Sequence, residues 1–264
     1  MCNPLSNYEV AREGEIVSMH VEDFDPESEF ERMLELLQAA SEDPTLKALS
    51  VLELQLKQID DYIEGLEEQG EYSEIFSDFA FELAPLINGT DFRVDQVTDA
   101  ATRSPELLAL IARYISIRDE NVEVVLATNP FISEELKWQL ADSEFEWEED
   151  GTREALARNQ KDPNLLEYLA KVGNTNVRHQ VALSPSTPPH VLDDLANDIE
   201  QCNFQMEECL FGELSDFRGF ARWCVAQNPN TSKGTLERIV CGELEPINDQ
   251  ADSEILRIAQ ERLK

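Results

Sequence analysis

Apolar residues recur at helical spacing through most of the chain, and the rhythm changes near residue 90. From Pro26, Phe30, Met33, Leu34 and Leu37 fall three and four apart, which predicts one helix with a single buried face. A second helix is predicted across "SEDPTLKALSVLELQLKQIDDYIEGLEEQ". Ser41 is placed to cap it, Pro44 to occupy its first turn and Gly70 to end it, and Leu49, Leu52, Leu56, Ile59 and Ile63 form its stripe. A third segment, "YSEIFSDFAFELAPLI", carries Phe76, Phe79, Phe81 and Leu83 and is expected to stop near Pro85. The first 25 residues are mixed and acidic, with one candidate strand in "EIVSMHV".

After Asn88-Gly89 the pattern becomes a series of proline-marked corners. The copies read "TRSPELLALIA" (102–112), "ATNPFISEELKWQLA" (127–141), "ARNQKDPNLLEYLA" (157–170), "ALSPSTPPHVLDDLA" (182–196) and "AQNPNTSKGTLERIV" (226–240), with a truncated "SEILRIAQERLK" at the end. Ala127, Ala182 and Ala226 each stand two residues before Asn129, Ser184 or Asn228, and Pro130, Pro185 or Pro229 follows. Each corner is preceded by a short apolar segment ("VEVVLA", "VRHQVA", "FARWCVA") and followed by Leu136, Leu192 or Leu236. Proline lacks an N–H and biases its predecessor away from helix, so a short helix must end at each corner. Asn129, Ser184 and Asn228 are suited to bond the freed backbone, and Ser133, Thr187 and Ser232 to cap the next helix, with Pro188 at its first position. Two short helices cannot bury their Val, Leu and Ala alone, whereas stacked copies can.

The run Val177 to Ala196, "VRHQVALSPSTPPHVLDDLA", resembles the leucine-rich repeat variant family, with weaker copies over about residues 97–264. The resemblance implies alternating α and 3₁₀ helices stacked in a superhelix. That family is also associated with an iron–sulfur cluster held by cysteines preceding the repeats. Only Cys2 lies there, so the cluster is not carried over. The expected fold is therefore all-α: an acidic N-terminal helical region over 1–90, then a right-handed solenoid of five or six repeats over 91–264.

Charge narrows the function. The chain holds 55 acidic and 21 basic residues, a formal net charge of −34. Residues 1–90 carry 22 acidic against 4 basic, and residues 91–264 carry 33 against 17. So negative a surface repels phosphate backbones and anionic lipid, which disfavours direct nucleic-acid or membrane binding and favours a basic protein partner. Solubility or salt adaptation is the alternative source of the acidity, and Lys (7) is scarcer than Arg (14). No apolar run reaches 18 residues, and "MCNPLSNYEVAREGEIV" lacks the apolar core of a signal peptide. With five cysteines, an odd number, a cytoplasmic location with reduced thiols is expected, and the sequon Asn88-Gly89-Thr90 reads as accidental.

Catalytic signatures are not found: His20, His179 and His190 are scattered, and no metalloprotease, nucleophile-elbow or phosphate-loop motif occurs. Both His179 and His190 are expected at the surface. The reading is a non-enzyme without a cofactor, acting as an inhibitor, immunity-type or nucleic-acid-mimic protein. Its candidate contacts lie in two acidic insertions, at about 142–152 and 198–218. The first supplies Glu144, Phe145, Glu146, Trp147, Glu148, Glu149 and Asp150; the second supplies Phe204, Met206 and Phe211 among acids. Exposed aromatics in a charged rim have the anatomy of interface hot spots, although such side chains also fold back as satellite core. The competing class is a metal or redox protein using Cys202, Cys209, Cys224 and Cys241, whose spacing lacks a C-x-x-C pair. Buried structural thiols are the simpler reading of those four.

Overall fold

The computed structural model describes residues 26–68, 79–89, 102–115, 120–142, 150–199, 219–247 and 249–264. Among them are thirteen α-helices and no strand. The candidate strand at 15–21 and Gly70 lie outside the described residues. By packing, the chain divides into two compact units, 1–133 and 134–264, a division that falls inside the second proline-marked copy.

In the first unit, α1 (Pro26–Glu42) packs against α2 (Leu46–Glu68), and α3 (Phe79–Asn88) against α5 (Glu120–Thr128). Between them, α4 (Pro105–Tyr114) touches both α2 and α5. The buried stripe of α1 is Met33, Leu36, Leu37 and Ala40, so Leu36 replaces Leu34, which is half-buried. All five apolar residues predicted to line α2 are buried. Its start is shifted, however: Ser41 belongs to α1 and donates to the Gln38 carbonyl, and Pro44 lies in the linker. Thr45 makes the cap, its Oγ1 accepting from the Ala48 N–H at 3.2 Å. Nor does α3 stop at Pro85. Leu83, Ala84 and Ile87 are buried on one face and carry the helix on to Asn88. It closes at Gly89, whose φ of 71° suits glycine and whose N–H reaches the Pro85 carbonyl.

The second unit holds α6 (Glu134–Asp142), α7 (Gly151–Asn159), α8 (Pro163–Val172), α9 (Thr175–Leu183) and α10 (Pro189–Leu195). Then come α11 (Phe220–Gln227), α12 (Lys233–Val240) and α13 (Asp249–Arg262). Successive odd helices pack in one row, α7 on α9, α9 on α11, α11 on α13; α6, α8 and α10 form a second row beside it. The second row continues to α12 through Asp193, which accepts from Thr235 at 3.0 Å and Arg238 at 2.7 Å. Leu156, Leu165, Val181, Leu192 and Val225 bury completely between the rows.

The resemblance implied alternating α and 3₁₀ helices, but both members of each described pair are α. Tightening of the 3₁₀ kind occurs in their last turns and in the corners that follow. There Ser184 N–H is shared between the Gln180 and Val181 carbonyls, and Asn228 N–H between those of Cys224 and Val225.

Candidate functional site

The corners define the scaffold on which any site must sit. Asn228 is buried, and its amide nitrogen donates to the carbonyls of Ala182 (2.7 Å) and Ser184 (2.8 Å) in the preceding copy. Its Oδ1 accepts from Asn230 N–H at 2.9 Å, fixing its own turn. Asn129 repeats the device in the first unit, donating to the carbonyls of Ile87 and Thr102 and to Asn88 Oδ1 while accepting from Phe131 N–H. One buried amide thus shapes its own corner and bonds the neighbouring one.

Thr187 was expected to cap α10, and the structure assigns it otherwise. Its hydroxyl donates back to the Val181 carbonyl at 2.5 Å, as Thr231 does to Val225. The capping position one residue later is Ser232 in one copy, accepting from Thr235 N–H at 3.0 Å, and Pro188 in the other. Pro188 has no side-chain oxygen, so α10 starts uncapped with Pro189 at its first helical position.

An arginine series that the sequence reading missed runs beside the corners. Arg153, Arg178 and Arg222 stand four residues before Ala157, Ala182 and Ala226. Arg153 donates to the Ala141 carbonyl at the end of α6, Arg178 to Gly173 after α8, and Arg222 to Ala196 after α10. A cation at each helix C-terminus satisfies a carbonyl and opposes the negative end of the helix dipole. Its sequence signal was the fixed offset, which a search for apolar positions passes over. At the end of the series Arg262 bonds the carbonyls of Ala226 (2.9 Å) and Pro229 (3.3 Å), the counterparts of two carbonyls that Asn228 and Asn230 bond in the preceding corner.

Of the candidate contacts in the first insertion, Asp150 alone is described; Glu144, Phe145, Glu146, Trp147, Glu148 and Glu149 lie outside the described residues. Asp150 is not presented to a partner. It is 8% exposed, caps α7 through Arg153 N–H, and pairs with the Arg153 guanidinium at 3.0 Å. Phe204, Met206 and Phe211 also lie outside the described residues, as do Cys202 and Cys209. Cys224 is buried in α11 whereas Cys241 is exposed just after α12. Among the described residues no group of three or more candidate ligands is placed to hold a metal.

His190 is exposed, as expected, and faces Glu167 at 3.0 Å. Hydrogen bonds from Lys171, then from His190, hold the Glu167 carboxyl below its usual range. His179 is not at the surface: it is 3% exposed, with its ring edge-on to Phe220 at 4.9 Å between centroids. Burial drives its pKa down to about 4 against the opposing pull of Asp198. The sequon asparagine is likewise interior. Asn88 is buried and donates to Val125 O and Thr128 Oγ1, so a glycan there would break the packing of α3 on α5.

Charge in the second unit is unevenly divided. Segments 143–149 and 200–218 hold nine acidic residues against Arg218, whereas the described residues of that unit hold 12 basic residues to 17 acidic. At least eight of those 12 pair with carboxylates, and Arg222 and Arg262 are committed to carbonyls. For its length the helical body is therefore much less acidic than the two segments. No family model, curated protein or solved structure matches the chain.

Proposed function

We propose that this chain is a non-enzymatic interaction protein. Its helical rows form a repeat solenoid of the leucine-rich repeat variant kind, and its acidic insertions bind a basic protein. The observation that carries the reading is the charge division just described. Most basic side chains of the second unit are spent on internal pairs and helix ends, while that unit's unbalanced carboxylates are densest where the repeat is interrupted. Insertions in stacked repeats fall on one face, often the binding face. Aromatics within these acidic segments supply the apolar anchors that charge alone lacks.

A field of this sign accelerates encounter with a cationic protein and makes the association salt-sensitive. Occupation of the nucleic-acid groove of a basic protein, as an inhibitor or immunity-type partner, is the narrower form of the reading. The supporting features for the repeat assignment are the two rows of α6 to α13 and the recurrence of corner amides, threonines and arginines at fixed offsets.

Affinity capture from the source cells at low and high salt tests the function. A basic protein retained at low salt and released when salt is raised several-fold is expected. No retained protein, or retention indifferent to salt, would contradict it.

A further inference from the structure

We infer that the outer face of α6 and α8 holds a guanidinium pocket, formed by Trp138, Tyr168 and Asp142, that takes an arginine side chain of a basic protein. The inference rests on the reading of the chain as a basic-protein binder and gives that reading a local anchor.

Trp138 and Tyr168 meet edge-on across the two helices, with centroids 5.5 Å apart and rings at 64°. Both are half-buried, so part of each ring is open to solvent. The Tyr168 hydroxyl donates to Asp142 Oδ1, which raises the Tyr168 pKa and fixes the carboxylate at the rim of the ring pair. Asp142 is exposed, and its second carboxylate oxygen remains an acceptor. An aromatic pair with a carboxylate bonded at its edge suits a planar guanidinium, which stacks on the one and donates to the other. A phosphate or carboxylate ligand would meet repulsion here from the Asp142 carboxylate.

Nearby cations are already engaged. Lys137 is held by Glu134, and Arg153 by Asp150 and the Ala141 carbonyl, so neither is spare to fill the pocket. Arginine fits better than lysine because the ammonium is compact and strongly hydrated and cannot use both surfaces at once.

The test is calorimetric titration of the full chain with hexa-arginine and hexa-lysine peptides at physiological salt. Trp138→Ala is expected to weaken hexa-arginine binding about three- to tenfold, the range of a partly desolvated cation–π contact, and hexa-lysine binding less. Asp142→Asn should weaken it more than Glu243→Gln, which removes the same charge from an exposed position after α12. Trp138→Phe, which keeps an aromatic core, provides a folded variant of intermediate affinity if the alanine variant unfolds. Equal affinities for wild type, Trp138→Phe and Asp142→Asn would overturn the pocket and leave the acidic-surface reading standing. Failure of the wild-type protein to bind hexa-arginine even at low salt would overturn both.

Discussion

In α2, six apolar residues spread over sixteen positions, Ala48 to Ile63, bury a continuous stripe, and Thr45 supplies a side-chain cap at its start. In α9, nine residues bury Val177, Val181 and Ala182 together with His179, and the helix ends at a corner whose carbonyls are bonded by Asn228 in the next copy. The long helix is stabilised by apolar area along its length. The short one depends on polar groups at its ends, supplied by residues more than forty positions away. The repeated part is therefore the more sensitive to single polar substitutions, and the N-terminal pair to loss of volume.

The largest effect is expected from Leu52→Ala, which leaves a void at a fully buried site and should cost about 3–4 kcal/mol, against under about 1.5 for Leu52→Met. Chemical denaturation measures both, and near-equal costs would show that α2 does not depend on packed volume. At the corner, matching volume should not rescue. Asn228→Leu leaves the Ala182 carbonyl unbonded and the Ser184 carbonyl with only the Thr187 N–H, so it should cost about 3 kcal/mol, no less than Asn228→Ala. A leucine variant markedly more stable than the alanine one would place α9 with α2 and remove the distinction.

His179 tests the same contrast by pH. Its folded pKa, about 4, lies below the ordinary value of 6.5, so the neutral ring favours the folded state. That contribution is complete above pH 6.5 and is lost as pH falls towards 4, by about 3 kcal/mol relative to a His179→Leu variant. Parallel stability curves for the two proteins across that window would contradict the buried neutral imidazole. A smaller effect separates two copies of the repeat. Ser232→Ala removes a cap and should cost about 1 kcal/mol, whereas Pro188→Ala, where no side-chain cap exists, should change stability by under about half of that. Equal losses would mean that the Ser232 hydroxyl does not act as a cap.

The same contrast explains what could be read from the sequence. The stripe of α2 was legible residue by residue because apolar spacing alone determines it. The corners at Pro185 and Pro229 were legible because proline forbids the next turn of helix. The task of Thr187 was not: a threonine after a proline corner suits both a forward cap and a backward bond to Val181, and only the packed geometry chooses. His179 was misjudged because the identity of its neighbour, Phe220, depends on contact between α9 and α11, 41 residues apart in sequence. Asp150 was read with its acidic neighbours, yet Arg153 three residues on was the local sign of an N-cap pair. Of the proposed contact residues in the two insertions, the rest lie outside the described residues.

The direct test of the central claim compares the wild-type chain with a variant carrying Glu144→Gln, Glu146→Gln, Glu148→Gln and Glu149→Gln, each titrated with the captured basic partner over a salt series. The account predicts weaker binding for the variant at low salt, by tenfold or more, and a shallower salt dependence, because the removed charges belong to the binding field. Identical affinities and identical salt slopes for the two proteins would contradict it.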